Sequence, residues 1–144
     1  MTTIALDANG LIAYDSREVA GNTIADDDSD KRRNINGVHY FFTGRSADED
    51  MLIDAVENGG QPDYSDSVNV CAIVVKGGEV FTAGITSTEG FYLQKERKGN
   101  PVTRGSGGDH ALTAMDLGCT AKEAVKYAMK RDINTGGKIR TFQV

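Results

Sequence analysis

Thr2-Thr3-Ile4-Ala5-Leu6-Asp7-Ala8-Asn9-Gly10-Leu11-Ile12-Ala13-Tyr14-Asp15-Ser16-Arg17 places two short apolar runs, residues 3 to 6 and 11 to 15, on either side of Asn9-Gly10. Asn-Gly is the favoured pair for a two-residue type I′ turn, because both central positions there need a positive φ. The stretch predicts a β-hairpin with Thr2 starting an edge of its sheet. Removal of Met1 would leave Thr2 with a hydroxyl and a free α-amine on one residue, which together supply a nucleophile and its base.

Further along the chain, Val38 to Thr43 reads as a buried strand. Ser46 and Glu49 have capping-box spacing, and Ala47, Met51, Leu52, Ala55 and Val56 form an apolar stripe, so a helix is expected over residues 46 to 58, stopped by Gly59-Gly60. Residues 61 to 67, with Pro62, read as a loop. Val68 to Val75 is a continuous apolar strand that Gly77-Gly78 turns into Val80 to Ile85. A charged surface stretch around Lys95 to Lys98 precedes a helix entered at Ser106-Gly107-Gly108, with Ala111, Leu112, Ala114 and Met115 apolar, and ended by Gly118. Thr120 and Glu123 repeat the capping-box spacing ahead of a second helix with Ala121, Ala124, Val125, Ala128 and Met129 on one face. Lys138 to Phe142 closes the chain as a strand.

The ordered set of short motifs is more specific than any one of them. After the Thr-Thr-Ile start come Asn9-Gly10, Asp15-Ser16-Arg17, a lone Lys31, Gly44 before a helix entry, Gly105-Ser106-Gly107, and Asp132-Ile133-Asn134-Thr135-Gly136-Gly137. In that order they resemble the proteasome β-subunit family and its smaller bacterial HslV-type relatives, over residues 2 to about 58 and about 68 to 144. The resemblance implies one N-terminal-nucleophile hydrolase domain over residues 2 to 144, Met1 removed, of the α+β class. It also implies a four-layer αββα sandwich, helix on sheet on sheet on helix. One departure is visible: only one helix fits between Gly44 and Val68 where the family has two, so a reduced helical layer is expected and the implied ring of subunits is weakened.

The resemblance also implies roles. Thr2 is the nucleophile of a threonine-type peptidase, and its own amine is the proton acceptor. Lys31 favours the developing alkoxide, and Asp15 holds Lys31 charged and oriented. The Gly44 amide is the oxyanion donor, where a glycine lets substrate approach closely. Ser106, Asp132 and Thr135 surround the terminal amine, with Thr135 in place of the commoner Ser. By alignment, Glu18, Ser29, Phe42 and Ser46 line the substrate pocket. Two other functions keep the same fold: a non-catalytic scaffold or interaction subunit, and an amidase acting on a small-molecule amide.

Composition narrows the partners. The 144 residues carry 39% hydrophobic and 26% charged residues, ordinary for a globular chain, and a net charge of −5 argues against nucleic acid as the main partner. The longest apolar run, Val70 to Val75, is far too short for a membrane span, and a cytoplasmic location without membrane contact is expected. Cys71, Cys119, His39 and His110 read as structural residues, so neither metal nor cofactor is expected. The acidic run Asp26 to Asp30 lacks the Gly and Glu of a calcium loop and reads as a solvated loop on the pocket rim, disfavouring acidic substrates. The expected partners are a peptide or unfolded protein as substrate and further copies of the chain in a homo-oligomer. The chain has no ATP motif, so a separate ATP-dependent unfoldase is expected to feed a closed chamber.

Overall fold

A computed structural model describes residues 2–144. Met1, and with it the expectation that this residue is removed, lies outside the described residues. Among the described residues the chain forms eleven strands in three antiparallel sheets and three short helices. They fall into two compact units, one made of the residues up to Lys31 together with Lys98–Val144, the other of Arg32–Arg97.

In the first unit, β1 (Thr3–Leu6), β2 (Leu11–Tyr14), β10 (Val102–Gly105) and β11 (Arg140–Gln143) form a sheet in the order β10-β1-β2-β11. Thr2 therefore does not start a sheet edge: β1 is an inner strand, paired with β10 on one side and β2 on the other. One face of the sheet carries α2 (Gly108–Asp116) and α3 (Ala121–Ala128). Ala5 and Ala13 pack there against Ala111, Ala114, Met115, Ala121, Ala124, Val125 and Ala128. Alanines on both sides let helix and sheet backbones come close together. The capping box that opens α3 forms as its spacing predicts, with the Thr120 side chain accepting from the Glu123 amide at 3.2 Å and the Glu123 carboxylate accepting from the Thr120 amide at 3.1 Å. A separate hairpin, β3 (Glu18–Ala20) with β4 (Thr23–Asp26), completes the unit.

The Asn9-Gly10 hairpin forms with a different turn. The Gly10 amide donates to the Asp7 carbonyl at 3.1 Å and the Asp7 amide to the Leu11 carbonyl at 3.0 Å. Within that turn only Gly10 has a positive φ, +85°, so this is a longer turn closed by a left-handed glycine and not type I′. Asp7 makes the difference, because its Oδ1 accepts from the amides of Asn9 and Leu11 and stabilises the wider turn.

In the second unit, β5 (Arg32–Ile35), β6 (Val38–Gly44), β7 (Asn69–Lys76), β8 (Glu79–Thr86) and β9 (Gly90–Lys95) pair in chain order. Two-residue turns close β5-β6 at Asn36-Gly37 and β7-β8 at Gly77-Gly78, with positive φ at both residues of each. The helix α1 (Glu49–Asn58) packs Leu52, Ile53 and Ala55 against Tyr40, Phe42, Val70, Ala72, Val74, Ala83 and Ile85. It begins three residues later than expected, after a 3₁₀ turn at Ser46–Asp48, and Ser46 makes no capping hydrogen bond. Asp48 supplies no cap to α1 either; its carboxylate accepts from the Asn69 amide at 3.1 Å and so anchors the start of β7.

These elements make a small, mostly antiparallel α+β fold, and they correct the expectation of a four-layer αββα sandwich. Three short helices, of ten, nine and eight residues, do not supply that architecture's helical layers. Within its unit the five-stranded sheet packs against α1, and residues 59–68, where a second helix would follow, form no helix. No helix among the described residues is long and apolar enough to cross a membrane.

Candidate active site

Thr2 immediately precedes β1, with 3% of its surface exposed. Pairing of β1 with β2 brings Asp15, the residue just past β2, alongside it: the Asp15 amide donates to the Thr3 carbonyl at 3.2 Å, and Asp15 Oδ1 accepts from the Thr3 amide at 3.0 Å. Asp15 is fully buried. Its carboxylate accepts four hydrogen bonds, from the Thr3 amide and Lys31 Nζ (3.0 Å) on Oδ1 and from the Gly136 (2.9 Å) and Arg17 (3.3 Å) amides on Oδ2. That matches a carboxylate's accepting capacity and lets the charge sit away from water.

Lys31 bridges this carboxylate and the Thr2 hydroxyl. Its Nζ lies 2.7 Å from Thr2 Oγ1, 3.0 Å from Asp15 Oδ1 and 2.7 Å from the Arg17 carbonyl. The Lys31 side chain is only 7% exposed. Burial pulls the ammonium below its ordinary value of 10.5, while the charge and hydrogen bond of Asp15, and more weakly Glu18 and Asp132, resist that loss.

A second network lies beside the first. The register Thr3↔Gly105 sets Ser106 level with Thr2 across the β1–β10 pair. The turn after α3 presents Asp132 and Thr135 to it. Asp132 Oδ2 accepts from Ser106 Oγ at 2.5 Å and from Thr135 Oγ1 at 2.6 Å, and its Oδ1 accepts from the Asn134 amide at 3.1 Å. Burial raises the Asp132 carboxyl, but these three donors outweigh it and hold the group below its ordinary 3.8. Thr3 Oγ1 lies 2.7 Å from Thr135 Oγ1. A hydroxyl has one proton, and Thr135 gives its own to Asp132, so Thr3 is the donor in that pair. Thr3 thus joins the two networks, its amide bound to Asp15 and its hydroxyl leading to Asp132. Thr3 is not among the residues expected at the site from sequence, although the doubled threonine is its signal.

The structure therefore gathers Thr2, Asp15, Lys31, Ser106, Asp132 and Thr135 within one unit. The remaining expected residues are placed differently. Gly44 ends β6 in the second unit with φ +100°. A Cβ there would lie 2.5 Å from the Asn69 carbonyl oxygen, so the glycine is needed for its own strand pairing whatever it does for a substrate. Phe42, expected to line a pocket, is instead 3% exposed in the core of its unit and stacked on Tyr40 with centroids 5.6 Å apart. Ser46 is exposed on the 3₁₀ turn. Ser29 Oγ donates to Glu18 Oε1 at 2.7 Å, so these two share one location in the first unit.

The aspartates of the acidic run are exposed to solvent, as expected, and three of them also have side-chain partners. Arg17 donates to both Asp27 carboxylate oxygens, at 2.9 and 3.3 Å, and also holds the Ile133 carbonyl. Arg140 binds Asp28 at 2.8 Å, and the Tyr14 hydroxyl donates to Asp30 at 3.0 Å. No grouping of His, Cys, Asp and Glu among the described residues could hold a metal ion.

The fold and this site define a small α+β protein with a buried threonine–lysine–aspartate constellation at the head of an inner strand. No protein-family model matches the chain, and no curated protein does. Among solved structures it is similar to Thiobacillus denitrificans BPH, at 16% identity and a TM-score of 0.70, over 100% of this chain and 97% of that one. It is also similar to Thiobacillus denitrificans BPH in complex with epoxomicin, at 16% identity and a TM-score of 0.68, over 100% and 98% of the two chains. At that identity the likeness is one of fold.

Proposed function

We propose that this chain is an N-terminal-nucleophile hydrolase of the proteasome β-subunit and HslV type, cleaving peptide bonds with Thr2. The observation that carries the reading is the 2.7 Å contact between Lys31 Nζ and Thr2 Oγ1, with Lys31 itself held by the buried Asp15. A solvent-exposed ion pair needs no such third member. One of the two similar structures holds epoxomicin, a proteasome inhibitor, which is consistent with this chemistry.

In the proposed reaction, removal of Met1 frees the Thr2 amine. That amine takes the Oγ1 proton through a water molecule, and Oγ1 attacks the substrate carbonyl carbon. The Lys31 ammonium stabilises the developing alkoxide. The tetrahedral adduct collapses as the C–N bond breaks; the leaving amine departs with the proton, and an ester remains on Thr2. Water then attacks the ester by the same route, releasing the acid and restoring the hydroxyl. Assembly into a homo-oligomer, delivery of unfolded protein by a separate ATP-dependent unfoldase and a cytoplasmic location belong to the same proposal.

The test is the intact mass of the purified protein with and without a peptide epoxyketone, which needs both a hydroxyl and a free amine on one residue. Loss of Met1 with a single adduct, absent in Thr2→Ala, is the expected result. A chain that has lost Met1 and still takes no adduct rules the mechanism out.

A further inference from the structure

The strongest side-chain cluster outside the reacting groups is built around Arg140. This residue lies on β11, and its side chain is 19% exposed. Nη1 donates to the Ser16 hydroxyl and, at 3.2 Å, to the Ser29 carbonyl. Nη2 donates to the Asp28 carbonyl at 3.1 Å and to its carboxylate at 2.8 Å, and Nε stands 4.0 Å from Asp30 Oδ2. One planar group thus grips three consecutive residues, 28 to 30, and Ser16.

The cluster gains its meaning from the chain neighbours of those anchor points. Ser16 adjoins Asp15, and residue 30 adjoins Lys31. Ser16 is fully buried. Its hydroxyl donates to the Lys138 carbonyl at 2.5 Å, its amide to the Gly136 carbonyl at 3.0 Å, and its carbonyl accepts the Ser29 amide at 3.1 Å. The two segments that deliver the Lys31–Asp15 pair are therefore joined by the Ser29–Ser16 backbone bond, and Arg140 adds side-chain bonds from β11 to both. Lysine carries a single ammonium and cannot reproduce this fork of bonds.

We propose that Arg140 is a positioning residue that clamps segment 28–30 to Ser16 and so fixes Lys31 Nζ against Thr2 Oγ1. The role in turnover rests on the proposed hydrolase reading; the clamp on Lys31 does not. Its effect is transmitted through backbone: the anchored carbonyls of Asp28 and Ser29 set where residue 31 leaves the loop. Glu18 and Asp132 also face the lysine electrostatically, but neither holds its main chain.

The test uses Arg140→Met, which keeps the aliphatic stem and removes the donors, and Arg140→Lys. Two quantities are read in each: competitive acetylation of Lys31 followed by mass spectrometry, and the rate at which a peptide epoxyketone modifies Thr2. In Arg140→Met the Lys31 amine is expected to lose its protection and acetylate like the exposed Lys130. Adduct formation is expected to slow by about 10- to 100-fold, the range for small misplacement of a reacting group. Arg140→Lys is expected to fall between the two, and it carries the test if Arg140→Met does not fold. Unchanged Lys31 protection in a folded variant overturns the proposal, even where the adduct rate falls, because that loss would then run through something other than Lys31. If wild-type protein that has lost Met1 takes no adduct yet Lys31 is unmasked in the variants, the clamp stands and the hydrolase reading fails.

Discussion

Lys31 Nζ lies 2.7 Å from Thr2 Oγ1 and at the same time 3.0 Å from Asp15 Oδ1, which belongs to a carboxylate with no exposed surface. A hydroxyl is thereby linked through one ammonium to a buried anion, and neither the lysine nor the aspartate can be altered without disturbing the other. In the proposed mechanism, stability and reactivity are coupled at this pair.

Lys31→Met removes the cation and leaves the Asp15 charge buried. Breaking a buried pair in this way costs about 3–5 kcal/mol, and the three backbone amides that still donate to Asp15 favour the lower end. The urea midpoint is expected to fall with its slope unchanged. Adduct formation at Thr2 should drop by about 10²–10³-fold, as for loss of one transition-state donor. Adding Asp15→Asn to Lys31→Met should restore part of the stability and none of the reactivity.

The lysine and the second aspartate impose pH dependences of opposite placement. Burial lowers Lys31 from 10.5, so between its folded value and 10.5 the unfolded chain binds more protons and stability from this group rises with pH. In the proposed mechanism reactivity needs the ammonium, so its alkaline limb should fall at a lower pH than an ordinary lysine would give. Asp132 is held below 3.8, so its contribution is present above that value and is lost as the pH falls through the folded value. Asp132→Asn should flatten the acid limb of a stability–pH curve and, because the Asp132 charge helps hold Lys31 up, move the alkaline side of the Thr2 reactivity profile slightly to lower pH.

Legibility in the sequence followed how local each cause was. Gly77-Gly78 and the Thr120–Glu123 box act over a few residues and formed as their spacing says. Asn36-Gly37 carries the same hairpin signal, but β5 before it is Arg32-Arg33-Asn34-Ile35, with no apolar run to mark a strand. All four residues of β4 are exposed, and β9 ends in the charged stretch at Lys95, so burial left no pattern in either. The order of motifs pointed to Thr2, Asp15 and Lys31, which do meet. An alignment position does not say which face of a strand a side chain takes, and Phe42 shares with Tyr40 the face that packs in the core of its unit. Arg140 was invisible because its partners lie more than 100 residues away.

The two capping-box spacings give a direct comparison. Thr120 has the extended backbone an N-cap requires, φ −69° and ψ 164°, and both reciprocal bonds form. Ser46 leads into a 3₁₀ turn and caps nothing. Thr120→Ala should therefore cost about 1 kcal/mol in denaturant unfolding, while Ser46→Ala should change stability by less than about 0.5 kcal/mol. Equal losses in the two variants would mean that Ser46 does cap the helix in solution.

Gly107 is where packing and the proposed chemistry meet most closely. Its φ of −93° suits any residue, so the constraint is space alone. An added Cβ would collide with Thr3 Oγ1 and lie 3.0 Å from Thr135 Oγ1 and 3.1 Å from the Ala128 methyl. Ala128 sits on a helix packed on this sheet and Thr135 is 1% exposed, so neither has room to retreat. Gly107→Ala is expected to cost about 1–3 kcal/mol by overpacking and to separate Thr3 from Thr135. Thr3→Ala alone removes the hydroxyl donor and leaves Thr135 bound to Asp132. Because the two substitutions act on one contact, the double variant Thr3→Ala/Gly107→Ala should be more stable than the sum of the single losses implies, by about 0.5–3 kcal/mol. Additive losses would show that the strain at Gly107 is relieved elsewhere, with the Thr3–Thr135 contact intact.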